Sequence, residues 1–397
     1  MNIDKHAPIE WRFSRRAQKL ESSAIREILK VTMRPEIISF AGGLPSPETF
    51  PVDHLRAAYD KVLTTQGKVA LQYGPSDGYA PLREWVAASL SKEGARIVPE
   101  QVLMVSGSQQ ALDLLGKVLI DEGSKVLVET PSYLGALQAF SVYGPQFESL
   151  PTDDGGLLPE SIAEIGQGAR LLYALPNFQN PTGRTLSVER RHALVEACAR
   201  LRVPLIEDDP YGALCYRGEP LPKLLGMNPE GVIHMGSFSK VLTPGIRLGY
   251  LVGPQPLIRK LEQAKQAADL HTAQITQMVV YEAVKDGFLD GHIPTIRKLY
   301  ADQCQVMLSA LEEFFPAGTR WTRPEGGMFI WVRLPEHIDS MKLLDEAVAE
   351  LVAFVPGAPF YANDPQHNTL RLSFVTVPPE KIREGVAKLA KLIAAKL

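Results

Sequence analysis

The sequence predicts an α/β protein: a mostly parallel sheet covered by helices on both faces, with a smaller α+β domain after it. Three observations carry this. Short apolar runs alternate with helix-length segments from 102 to 252, the order of βα units feeding a parallel sheet. These runs are apolar throughout, as strands buried on both faces are. From about Pro294 the order changes to helix, strand, helix, strand, helix. The chain's 397 residues suffice for two domains and a large core.

Taken in order, 22–33 reads as a helix with Ile25, Ile28, Leu29 and Thr32 on one face. The Gly/Pro-rich run 41–47 is a plausible boundary. A second helix covers 81–90, where Pro81 suits the first turn. Strands are expected at 102–105, 126–129, 171–175, 204–207, 232–235 and 248–252. Helices are expected at 108–120, 133–142, 187–202 and from 257 to 268. The last part has helices at 296–315, 341–352 and 380–397 and strands at 328–333 and 369–374. The expected units are 1–47, 48–293 and 294–397. No internal repeat or low-complexity segment is visible.

Composition narrows the class. Hydrophobic residues make up 45% and charged residues 22%, ordinary for a globular protein. A net charge of −3 argues against a broad nucleic-acid or acidic-membrane surface. Cys198, Cys215 and Cys304 are widely spaced and fit neither a disulfide framework nor a zinc pattern, which points to a reducing compartment. No HExxH or HxxEH run occurs, and no metal is expected. The first eleven residues carry charge with no apolar stretch behind them, unlike a signal peptide. No segment has the apolar length to cross a bilayer. The expectation is a cytoplasmic enzyme.

Several clusters fall at expected strand ends, where open α/β sheets hold ligands. Lys240 closes Gly236-Ser237-Phe238-Ser239-Lys240, and Arg247 follows. An amine beside small hydroxyls and a guanidinium suits a cofactor with an aldehyde and a phosphate. By itself the run reads better as a surface lysine in a Ser/Gly loop. Ser106-Gly107-Ser108-Gln109-Gln110 opens a helix, and small residues let its N–H groups approach a phosphate; the alternative is an ordinary cap. Asp208 and Tyr211 follow the strand at 204–207. A carboxylate there can keep a pyridine nitrogen protonated, and the tyrosine can bond a ring oxygen. An acidic turn or a metal site at Glu207 and the two aspartates are the alternatives. The Asn180 amide can donate to the same ring oxygen, and its bond to Pro181 is a candidate for the cis form; the alternative is a plain turn. Tyr133 can stack on a flat cofactor or pack as a core aromatic. Arg371 in an apolar strand needs a partner, either a bound carboxylate or an internal acid.

Together these residues resemble the fold-type I pyridoxal-5′-phosphate aminotransferases. The motifs are GSQQALD at 107–113, NFQNPTG at 177–183, EDDPYG at 207–212, SFSK at 237–240 and RLSF at 371–374, in that order over nearly the whole chain. The chain is most similar to the branch of 2-aminoadipate aminotransferases and kynurenine aminotransferase II. SAIREIL at 23–29, SFAGGLPSPETFP at 39–51, LQYGPSDGYAPLR at 71–83 and ADLHT at 268–272 carry that likeness.

The resemblance implies a large domain with a seven-stranded sheet and the following roles. Lys240 holds pyridoxal 5′-phosphate as a Schiff base. Ser237, Ser239, Arg247 and the backbone of Ser108 and Gln109 bind its phosphate. Asp208 pairs with the ring nitrogen, Tyr211 and Asn180 with the ring oxygen, and Tyr133 stacks on the ring. Arg371 and Asn180 grip the substrate carboxylate near Gly43. Tyr73 reaches the cofactor of a neighbouring subunit, so a homodimer with shared sites is implied. Arg26 and Ser23 lie on a helix that closes over the substrate side chain. Transamination between an amino acid (2-aminoadipate, glutamate, or leucine, kynurenine and aromatic donors) and a 2-oxo acid such as 2-oxoglutarate is implied. No DNA-binding appendage and no membrane partner are expected. A lyase or decarboxylase using the same cofactor, or an amino-acid-binding protein without activity, remain the alternatives.

Overall fold

The computed structural model describes residues 11–18, 34–92 and 96–397. The expected helix at 22–33, with Ser23 and Arg26, lies outside them. At the centre is a seven-stranded sheet. Its strands are β1 (Val102–Val105), β2 (Lys125–Glu129), β3 (Gln146–Leu150), β4 (Leu171–Ala174), β5 (Leu205–Asp208), β6 (Val232–Ser237) and β7 (Gly249–Val252). They lie in the order β1-β7-β6-β5-β4-β2-β3. Only β7 runs antiparallel to its neighbours.

Successive residues of each inner strand feed different cores, as the two-residue strand period requires. Leu103, Val105, Val126, Val128, Leu171, Tyr173, Ile206, Ile233 and Met235 pack on one face. Val102, Met104, Leu127, Leu172, Ala174, Leu205 and Val232 pack on the other. Helices Ser108–Leu119, Leu134–Ser141 and Gln255–Ala268 cover the first face. Helices Ala80–Ser91, Val188–Leu201 and Gln274–Val284 cover the second. This two-sided burial is why the strands read as continuous apolar runs.

The second sheet has four antiparallel strands, ordered Arg320–Trp321, Phe329–Arg333, Thr369–Ser373 and Val355–Pro356. Helices Phe288–Phe314, Ser340–Ala349 and Pro379–Ala394 pack with it in the first core. Segment 38–41 is stitched on, with Phe40 O accepting from Ser373 N at 2.8 Å. Helix Phe288–Phe314 starts earlier than the expected 296 and runs on through Pro294.

The six parallel strands end at one edge of the central sheet, and the site motifs follow those ends. Because β7 is antiparallel, its beginning lies at that same edge. Gly249 pairs with both Val105 and Ser237. The chain order thus delivers Arg247, two residues earlier, beside the ends of β1 and β6. No helix among the described residues is long and apolar enough to cross a membrane.

Candidate active site

Asp208 is the last residue of β5 and is buried. Its Oδ2 accepts a 2.6 Å hydrogen bond from the Tyr173 hydroxyl. Its Oδ1 is buried without a partner. Burial above all pushes this carboxyl up to about 7. Tyr173 and His234 pull it down, and Asp209 pushes it further up. A buried acid with one empty acceptor is costly unless something cationic completes it.

Lys240 lies on the turn after β6, where Ser237 Oγ accepts from Ser239 N at 3.1 Å. Its amine donates to Gly43 O at 2.8 Å. Burial, then the charges of Arg371 and Arg247, lower it to about 8. An amine near neutrality is a usable nucleophile and proton carrier.

Arg371 sits mid-strand in the second sheet, buried. It donates to Asn180 Oδ1 at 2.8 Å and to Ala41 O at 2.7 Å, while its Nε has no partner. Its guanidinium lies over Phe329 at 4.4 Å and Phe360 at 5.3 Å. Burial lowers it to about 10, against the pull of Tyr211 and Tyr133. No carboxylate neutralises it among these contacts. Among the described residues, no internal acid is bonded to Arg371.

Asn180 joins the two sheets. Its side chain bonds both Arg371 and the Tyr211 hydroxyl. The Asn180–Pro181 peptide is cis, as is Thr130–Pro131, which the sequence did not suggest. Tyr211 is buried, edge-on to Phe329 at 5.8 Å. Burial, with Tyr133 next, holds its phenol above the ordinary range. Tyr133 caps helix Leu134–Ser141, and its phenol is raised by burial and then by Asp208. A side chain on Gly135 would overlap the Tyr133 ring at 2.5 Å.

Gly107 precedes helix Ser108–Leu119 with φ 84°, a conformation open to glycine. A Cβ there would meet Arg247 Nη2 at 2.5 Å. The missing side chain lets that guanidinium lie against the helix start, where unpaired N–H groups already favour an anion. Ser108, Gln109, Ser237, Ser239 and Arg247 thus belong to one edge. Tyr73 does not join this group. It is largely exposed, edge-on to His271 at 5.7 Å.

The three neighbouring acids have separate partners. Glu207 accepts from Leu224 N and Leu225 N at 2.7 and 3.1 Å and bonds His234 at 2.9 Å. Asp209 pairs with Lys223 at 2.6 Å. Sequence reasoning missed Tyr173 because a tyrosine inside an apolar strand looks like core packing.

The family model for class I and II aminotransferases matches residues 36–389. The chain belongs to that family. Its cofactor is pyridoxal 5′-phosphate and its reaction is transamination. The 2-aminoadipate transaminase of Thermus thermophilus is 45% identical over 394 residues, 97% of this chain and 98% of that protein. Aromatic-amino-acid aminotransferase 1 of Thermococcus litoralis is 45% identical over 393 residues, 96% of this chain and 94% of that one. The solved kynurenine aminotransferase of Pyrococcus horikoshii, in complex with PMP, superposes with a TM-score of 0.93. It is 45% identical, and 97% of each chain is covered. Neither a lyase nor a binding protein without activity gains support from these likenesses.

The site fits the cofactor of this family. The charges of Arg371 and Arg247 both bear on Lys240, and Tyr133 senses both arginines and Asp208, a cluster that favours a ligand bearing phosphate and carboxylate groups. The empty Asp208 oxygen suits a protonated ring nitrogen.

Proposed function

We propose that this aminotransferase uses Lys240, Asp208 and Tyr211 as its catalytic residues and works on 2-aminoadipate and glutamate as donors, with 2-oxoglutarate as acceptor. The observation that carries the residue assignment is the unpartnered oxygen of buried Asp208 in a site otherwise rich in cations. When bound, the cofactor supplies an aldehyde for amino exchange and a cationic ring that takes up electrons from the substrate Cα. Asp208 keeps that ring cationic. Lys240 would hold the cofactor through its Nζ and, once freed by the amino donor, would take up the proton lost from the substrate Cα. Arg371 and Asn180 hold the α-carboxylate, which fixes the Cα–H bond against rotation. Tyr211 and Asn180 hydrogen-bond the ring oxygen. Ser108, Gln109, Ser237, Ser239 and Arg247 hold the phosphate, and Tyr133 covers the ring. Gly43 lies beside Arg371, where a Cβ would be in ordinary contact with Phe329 at 3.4 Å and Arg371 Nη2 at 3.9 Å.

The donor assignment draws on the relatives' specificities and on Arg26, whose charge suits a distal carboxylate, with Ser23 beside it in sequence. Leucine, kynurenine and aromatic donors form the second group, in keeping with the aromatic wall of Phe329, Phe360 and Trp331 near Arg371. A homodimer with shared sites belongs to the same proposal. Leu71 and Tyr73 are exposed, and exposed Leu270 adjoins the Tyr73–His271 contact. Such apolar surface favours a partner, and Tyr73 would reach the phosphate across it. The division into 1–47, 48–293 and 294–397 and a cytoplasmic location, in line with three free buried cysteines, complete the proposal.

A donor and acceptor panel on the cofactor-loaded enzyme, with Arg26→Gln beside it, tests the specificity. Loss confined to 2-aminoadipate and glutamate is expected. An equal change across all donors contradicts the assignment.

A further inference from the structure

We propose that Tyr173 is the positioning residue that keeps Asp208 ionised and oriented for the cofactor ring. The inference rests on the role given to Asp208 above and adds a residue that the motifs do not contain.

Tyr173 lies in β4 opposite Ile206 of β5. Asp208 is two residues beyond Ile206, so both side chains project from the same face of the sheet. The diagonal distance between such positions is within reach of a tyrosine. The hydroxyl closes it with a 2.6 Å bond to Oδ2. The tyrosine is fully buried, and its ring is fixed edge-on to Phe140 at 5.9 Å. It therefore cannot swing away without opening the core. Asp208 consequently has two unlike oxygens: one anchored by a phenol, the other free for a cation.

The groups around Asp208 divide by effect. Asp209 repels its charge, while Tyr173 and His234 favour it. The phenols of Tyr133 and Tyr211 sense it as well. Of these, Tyr173 alone is hydrogen-bonded to it, so removing one hydroxyl withdraws the short-range support of the carboxylate. Burial then acts with less opposition, and the protonated acid persists to higher pH. A neutral acid cannot pair with a pyridinium, so cofactor binding weakens at neutral pH and recovers only in more alkaline solution.

The test is to titrate pyridoxal 5′-phosphate into cofactor-free wild type, Tyr173→Phe, Asp208→Asn and the double variant, following bound-cofactor absorbance from pH 6 to 9. Tyr173→Phe is expected to bind about tenfold or more weakly near pH 7, since a hydrogen bond to a charged group is lost. The pH midpoint of its affinity is expected to rise. In the Asp208→Asn background the same change should cost little more. Phe140→Leu serves as a packing control and should lower thermal stability while leaving the midpoint in place. Unchanged affinity and midpoint in Tyr173→Phe would overturn the proposal, as would an equal midpoint shift in Phe140→Leu. If Tyr173→Phe does not fold, an unshifted midpoint in Tyr173→His does the same. Should Asp208→Asn itself bind the cofactor like wild type, the role of Asp208 fails first, and the two failures are told apart.

Discussion

Asp208 and Asp209 are adjacent and both buried, yet their surroundings are opposite. Asp209 accepts from Asn177 at 2.8 Å, Gly212 N at 2.9 Å and Lys223 at 2.6 Å. Burial pushes its carboxyl up, but Lys223, His234 and these bonds outweigh that and hold it well below the ordinary range. Buried Arg191 is also well paired, with Leu186 O, Pro176 O, Pro222 O and Asn177 Oδ1 accepting four of its five N–H groups. Asp208 has one donor, and its other oxygen has none. A buried charge with every bond made serves the fold, whereas one left incomplete marks where a ligand must come.

The strongest way to sharpen this contrast is Lys240→Ala. It should fold, bind the cofactor without a covalent bond, and lose about a thousandfold or more of turnover, as expected for loss of both nucleophile and proton carrier. Steady-state kinetics with an absorption spectrum decide it, and multiple turnover at the wild-type rate would break the assignment.

Next in size is Asp209→Ala. It should destabilise the protein by about 3 kcal/mol or more, because the donors of Asn177, Gly212 and Lys223 lose a buried charged acceptor. Thermal unfolding of cofactor-free protein checks it. A midpoint like that of wild type would mean that the saturated region carries no structural load.

Much of this division was legible in the sequence. The apolar runs of β1, β2, β4, β5, β6 and β7 stand out because both faces are buried, and the site motifs follow at their ends. Strand β3 was missed: Gln146–Leu150 is an edge strand with alternating exposure, so it offers no apolar run. Helix Val52–Ala70 was missed as well. It buries only Ala58, Val62 and Ala70 and carries a non-helical residue, Gln66. At the site, residue types revealed which groups could bind a cofactor but not which were already satisfied. Asp208 and Asp209 are the same letter. The positions of Tyr173, Lys223 and Asn177 distinguish them, and these come from two separate segments of the chain.

The pH dependence of stability offers the finest comparison. Asp208 titrates near 7 in the fold, well above its ordinary value of 3.8. Between these values the folded state holds a proton that the unfolded state has released, so this group's contribution falls as pH rises from about 4 to 7. Asparagine has no such term. Thermal unfolding of Asp208→Asn at pH 8, without and with pyridoxal 5′-phosphate, is the most direct measurement. The expected result is a cofactor-free midpoint at or above that of wild type, with most of the cofactor-induced rise lost. A midpoint well below wild type, with the cofactor-induced rise intact, would make Asp208 a structural acid like its neighbour.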